Sequence, residues 1–195
     1  MLIIVSMNRF ILDETPEVIA QQHCDKHICK MPVEEAQMLC TAHRLLDGTE
    51  ERRPSKSGKT MIRYWRMDDV ISEAVLYKAV HMGHPCTKWV MESDSNYRFA
   101  YSLFMALCRE YQHRYGKVHM CEKKLWIALR QLPKNIPKGP LTPAPMAMGS
   151  NPECIDPDDV IGSYRRYYVT KKDRFKMVWT NRDEPEWWNE YVSMA

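Results

Sequence analysis

Residues 89–116 read WVMESDSNYRFAYSLFMALCREYQHRYG. Tyr97, Tyr101, Phe104, Met105, Cys108 and Tyr111 recur at spacings of three and four, which is the period of a helix with one apolar stripe. Gly116 supplies a C-terminal stop, because glycine tolerates the left-handed conformation that closes a helix. The spacing predicts one helix from Trp89 to Tyr115, the longest in the chain.

Outward from it, further helices are expected. Thr15-Pro16-Glu17 is a start signal, with a hydroxyl, a proline at the first helical position and an acid at the positive dipole end. A helix from Pro16 to about Lys30 follows, then a kink or fresh start at Pro32, where the hydrogen-bond ladder loses a donor. Val33 to Leu46 ends at Gly48. Asp68 to His81, Glu122 to Gln131, and Asp156-Pro157-Asp158-Asp159 through Tyr168 to about Phe175 complete the set. Residues 49–60 carry Pro54 and Gly58 and read as a basic loop. Residues 133–157 contain seven prolines and read as a long wrapping loop. Gly58-Lys59-Thr60 is not a phosphate loop, since position 53 is arginine and no strand precedes it. Alternating strand patterns are nearly absent. The fold class expected is all-α, a compact helical bundle forming a single domain over 1–195.

With 45% hydrophobic and 27% charged residues, the chain has the composition of a globular protein and not of a disordered one. No stretch approaches the roughly 20 apolar residues of a membrane span, and residues 1–7 read as a buried segment without a signal-peptide pattern. Cysteines 24, 29, 40, 86, 108, 121 and 154 have no repeating spacing, which points to unpaired thiols in a reducing cytoplasm, the host cell's if the chain is phage-encoded. The net charge is only +3, but it is unevenly placed: Arg44–Arg66 holds seven bases against three acids, Arg109–Lys138 eight against two, and Arg165–Lys176 six against one. Tyrosines and tryptophans interleave with these runs, a pattern suited to a phosphate backbone with exposed bases as readily as to solvated faces.

The densest chemical cluster is His23-Cys-Asp-Lys26-His27-Ile-Cys29-Lys30 with Glu34. His23 and His27 are four apart, so a helix would place both imidazoles on one face. That is half of a zinc site, and no second pair such as Cys-x-x-Cys completes it, so no metal and no cofactor are expected. His27, Lys30 and Glu34 can line one helix face, where a carboxylate beside an amine is a workable acid–base or imine-forming unit. The same spacing also describes an ordinary surface ion pair. His84, between Gly83 and Pro85, is read either as a helix cap or as a phosphate contact.

Asp25-Lys-His27 with Glu34 resembles the Asp-x-His…Glu helix of phage endonuclease V, the pyrimidine-dimer DNA glycosylase/AP lyase family. Gly83-His84, the helix ending Cys108-Arg-Glu110…Arg114-Tyr-Gly116, and the tail Pro185-x-Trp187-Trp188-x-x-Tyr191 continue the likeness in order. The set is also similar to small tailed-phage proteins with a Cys-Asp-Lys-His signature. The resemblance implies a helical protein that flips a nucleotide out of double-stranded DNA and cleaves through an imine with a sugar carbon. Carried over, the essential glutamate is Glu34, with His27 near the DNA. That family's nucleophile is the N-terminal amine. Here the chain extends further upstream and Leu2 opposes removal of Met1, so Lys30 or Lys26 is expected to supply the amine. His84, Arg114, Lys117, Arg165 and Arg166 are expected on phosphates, and Trp187, Trp188 and Tyr191 beside the opened base, in a monomer. The competing readings are a phage enzyme that modifies pyrimidines in the same pocket, a non-catalytic nucleic-acid-binding protein, and a zinc-binding module.

Overall fold

The computed structural model describes residues 9–194. Eight α-helices and one two-stranded sheet are present among them: α1 (Pro16–Gln22), α2 (Asp25–Asp47), β1 (Thr49–Pro54), β2 (Met61–Arg66), α3 (Val70–Val75), α4 (Pro85–Glu92), α5 (Asp94–Tyr115), α6 (Met120–Arg130), α7 (Val160–Val169) and α8 (Trp188–Met194). The protein is mainly helical, and the hairpin corrects the all-α expectation.

The first predicted helix divides at His23-Cys24, which are extended. Backbone groups freed by that break are taken up from a distance. Cys24 N–H donates to the Tyr168 hydroxyl at 2.8 Å, Asp25 N–H to the Val178 carbonyl at 2.8 Å, and the Trp179 indole N–H to the Gln22 carbonyl at 2.9 Å. Downstream, α2 passes through Pro32 without ending, against expectation. An interior proline costs about 3 kcal/mol. Here Ile28, Met31, Pro32 and Ala36 are all buried, and packing of α2 against α4, α5 and α6 outweighs the lost bond.

The long central helix also divides, at Ser93. Its hydroxyl caps α5 by accepting from Asn96 N–H at 3.1 Å, while the backbone there is extended (φ −153°, ψ 157°). The proline-rich loop is pinned to this corner: Asp94 N–H donates to the Pro137 carbonyl at 2.8 Å, and the Asn96 amide donates to the Thr142 hydroxyl and accepts from Thr142 N–H, both at 2.9 Å. At its far end α5 stops at Gly116, with φ +64° as the sequence indicates.

Residues 49–60, expected as a loop, belong instead to an antiparallel hairpin over 49–66, registered from Thr49 opposite Arg66 to Pro54 opposite Met61. Gly58, at φ +70°, makes its turn. Buried Arg44 of α2 seats the hairpin and α3, donating to the carbonyls of Trp65 (2.7 Å), Tyr77 (2.6 Å) and Leu76 (2.8 Å) and to the Glu73 carboxylate (2.8 Å). Because Arg44 takes the Leu76 and Tyr77 carbonyls, α3 ends at Val75, well short of His81.

Two apolar clusters result. One gathers Phe10, Ile19, Ile28, Leu107, Tyr168 and Trp188, and the other Met38, Leu39, Trp89, Tyr97, Phe104 and Leu125. Helices α2 and α5 contribute to both. The helix starting near Asp159 ends at Val169 and tightens into a 3-10 turn, Thr170–Asp173. All seven cysteines are free thiols. Among the described residues no helix is long and apolar enough to cross a membrane.

Candidate active site

The first turns of α2 carry most of the predicted cluster, and α7 closes over them. His27 is buried at 6% exposure among Phe10, Tyr168 and Phe175, with ring centroids 4.8, 5.0 and 5.5 Å away. Its Nδ1 lies 2.7 Å from the Tyr168 hydroxyl. Burial, reinforced by His23, Lys30 and Lys171, pushes its pKa down to about 2, so the imidazole is neutral and shares one proton with that hydroxyl across the bond. His27, expected near the DNA, thus sits inside an aromatic box. His23 sits on the extended break, not on a shared helix face. Its Nδ1 is 2.6 Å from the Ile19 carbonyl, and burial lowers its pKa to about 4. The two rings are still 6.1 Å apart, brought together by the chain reversal. No group of three metal-ligating side chains forms among the described residues.

Glu34 lies two turns further along α2, 4% exposed, with its Oε1 2.7 Å from the Lys30 ammonium. Lys30 keeps 45% of its side chain in solvent. A pair with one buried and one wet partner differs from a surface ion pair, because the carboxylate is desolvated while the amine can move. Beside Glu34, the neighbouring Glu35 is locked to Arg9 by bonds of 2.8 and 2.6 Å, both side chains at 0% exposure. Lys26 points into solvent.

Sequence reasoning missed Lys171. It is 4% exposed, its ammonium stands 3.4 Å over the Tyr167 ring, and its hydrogen bond is to the Thr170 hydroxyl at 3.3 Å. No carboxylate among the described residues pairs with it. The basic run Lys171-Lys172-Asp173-Arg174 looks like a solvated face, and nothing in its spacing singles out the first lysine. The tyrosines four apart, Tyr164 and Tyr168, are the one signal that this segment turns inward.

No family model, curated protein or solved structure matches this chain. The site therefore rests on its own geometry.

Several residues expected on DNA make contacts within the fold. Arg114 is 4% exposed and bonds Glu110 (2.7 Å), Asp25 (2.9 Å) and the Gln21 carbonyl (2.9 Å). An Arg/Glu pair at i, i+4 reads as a surface pair only while the partner helix is unknown. Trp187 and Trp188, at 6% and 7%, pack in the core, the former donating to the Gln22 amide oxygen at 2.9 Å. Arg165 donates to the Leu12 carbonyl at 3.0 Å and lies 5.2 Å from the Trp187 ring centroid. Arg166 donates to the Cys154 carbonyl at 3.1 Å. His84 caps α4, its Nδ1 accepting from Cys86 N–H at 3.2 Å. Lys117 is exposed just past α5, and half-buried Tyr191 lines a cavity of about 560 Å³ together with Cys154, Arg166, Thr170 and Glu190.

Proposed function

We propose that this chain acts on double-stranded DNA as a pyrimidine-lesion N-glycosylase with AP-lyase-like chemistry, Glu34 being the essential carboxylate. The observation that carries the reading is the Glu34–Lys30 pair: a 4% exposed carboxylate beside a half-exposed ammonium at 2.7 Å, two turns along α2 from the buried His27. A desolvated carboxylate stabilises positive charge developing at a sugar carbon far more than a hydrated one does. The amine function of the site attacks C1′, and Lys30 forms an ion pair with Glu34 beside it. Exposed bases of the hairpin, Arg52, Lys56, Lys59 and Arg63, together with Lys117, supply the phosphate contacts that the buried Arg114 cannot.

The reading is tested on a duplex with one abasic site and on a duplex with one pyrimidine dimer, following strand scission and base release. Scission by the wild type that is lost in Glu34→Gln, with duplex affinity retained, is the expected result. Unchanged scission in Glu34→Gln, or none in the wild type despite binding, would overturn it.

A further inference from the structure

We propose that the cavity between the C-terminal end of α2, helix α3 and helix α6 binds a small alkyl carboxylate, an aliphatic chain with one anionic head. The site is separate from the Glu34–Lys30 pair: His43, at its floor, lies about 2.5 helical turns further along α2. The inference stands whether or not the DNA-acting reading does.

Three observations carry it. The first is an apolar space with no occupant from the fold. The cavity measures about 600 Å³, within the range of small-molecule sites. Its apolar wall is built by Met67, Ile71, Val75, Leu76, Ile127 and Leu132, and His43 is the only ring among the lining residues. An all-aliphatic wall suits a flexible chain better than a flat ring system. Helix α3 buries none of its six residues, and Ile71 and Ile127 stay 72% and 64% exposed. Arg44 anchors α3 through the Glu73 carboxylate and the Leu76 carbonyl. Polar bonds therefore hold that helix in place, and its apolar side chains remain on the cavity wall.

The second is the sign of the unmatched charge. Three acids and two lysines line the space, but the acids are already engaged. Asp47 accepts from Lys134 N–H at 2.8 Å, Asn135 N–H at 3.0 Å and the Asn135 amide at 3.1 Å. Asp69 caps α3, accepting from Ser72 N–H at 2.6 Å, and Asp68 pairs with Arg66 at 2.9 Å. Lys124 and Lys134 are both exposed, and neither ammonium forms an ion pair among the described residues. Lys124 Nζ stands 4.9 Å from the Tyr77 ring centroid, and Lys134 acts on Asp69 only through space. The charge open to a ligand is positive, which selects an anionic head.

The third is the floor. The Tyr97 hydroxyl donates to the Leu129 carbonyl at 3.0 Å, so His43 Nε2, 2.7 Å from that hydroxyl, is the donor of its own bond. Burial keeps this ring neutral at physiological pH. A neutral floor offers a carboxylate no counter-charge, so the head stays with the exposed lysines and the chain enters between α3 and α6.

The experiment titrates the full chain with decanoate by calorimetry, with decylammonium as the same chain carrying the opposite charge. Lys124→Ala/Lys134→Ala, Ala128→Trp and Ile127→Asp are run alongside, with Lys123→Ala, an exposed α6 lysine outside the cavity, as control and circular dichroism to verify folding. One saturable decanoate site per chain is expected, about tenfold or more tighter than decylammonium. The double lysine variant should lose about tenfold in decanoate affinity and nothing in decylammonium affinity, while Lys123→Ala binds as the wild type does. Ala128→Trp, which fills the space, should abolish binding. Ile127→Asp, at an exposed position that leaves the core untouched, should weaken decanoate and keeps the test decisive if the tryptophan variant fails to fold. Equal affinity for the two head groups, unchanged decanoate binding in the double lysine variant or in Ile127→Asp, or no saturable binding at all would overturn the proposal.

Discussion

Around Arg44, at 1% exposure, the guanidinium makes bonds of 2.6 to 3.2 Å to four carbonyls and the Glu73 carboxylate; around Lys171, at 4%, the amine finds one hydroxyl and a tyrosine ring. Both are cations withdrawn from water, and both sit where an element ends. Arg44 uses its full fork of donors to hold a hairpin and a helix end, so its charge is spoken for. The amine of Lys171 is left with weak partners, which lowers its proton affinity and frees a lone pair. Burial alone therefore does not separate architecture from chemistry; the completeness of the partner set does.

The comparison breaks first at Arg44. Arg44→Met strips donors from the Trp65, Leu76 and Tyr77 carbonyls and removes the shortest ion-pair partner of Glu73, with an expected loss of about 3–5 kcal/mol in urea denaturation. A loss below about 1 kcal/mol would erase the distinction between the two sites.

Acid sharpens the contrast next, since each region holds a buried neutral histidine. Burial lowers His43, near Arg44, to about 4 and His27, near Lys171, to about 2. The unfolded chain protonates these rings near pH 6.5 and the folded chain does not, so stability is complete above that value and falls as the pH drops toward the folded values. At pH 5 the loss is about 2 kcal/mol per ring. His43→Gln and His27→Gln should each flatten the pH dependence of urea midpoints between pH 7 and 5.

Lys171→Met is expected to act in the opposite direction to Arg44→Met. At pH 7 the variant melts about 2–4 °C above the wild type, because a desolvated ammonium is replaced by an apolar chain of similar length. The folded pKa is depressed, so the penalty is present below about 8 and fades as pH rises toward the unfolded value of 10.5. A gap in melting temperature that stays constant from pH 7 to 10 would place a partner at Lys171 that the fold does not show. The smallest effect belongs to the exposed Arg63–Glu50 pair on the hairpin: Arg63→Ala should leave the denaturation midpoint unchanged within error.

Local chemistry made much of this fold readable. Pro16 opens α1, Gly116 closes α5, and the apolar stripe from Tyr97 to Cys108 does face the core, because each signal acts within one or two turns. The hairpin was hidden by its own turn residues: Pro54 and Gly58 mark a turn equally well inside a loop. Its strand signal, Ile62-Arg-Tyr64-Trp65, is short and charged on the wet face. The breaks at Cys24 and Ser93 were equally opaque, as the groups that satisfy them come from Tyr168, Val178 and the proline-rich loop. Of the site, the Lys30–Glu34 pair was legible from helical spacing. Burial of Arg114, Trp187 and Trp188 was not, since it depends on which helix lies opposite.

The corner between α1 and α2 has a consequence for how the chain matures. The Gln22 carbonyl there is closed by Trp179 and the Gln22 side chain by Trp187, 157 and 165 residues downstream. During synthesis at roughly 5–20 residues per second, the pocket that receives those indoles stays uncovered for on the order of ten seconds or more. The helix carrying Glu34 can form early from local contacts, but the corner that aims it waits for residues made much later. Nascent chains stalled before Trp179 should thus expose the Ile19–Cys24 surface to holdase chaperones, and activity should emerge in one late step and not gradually.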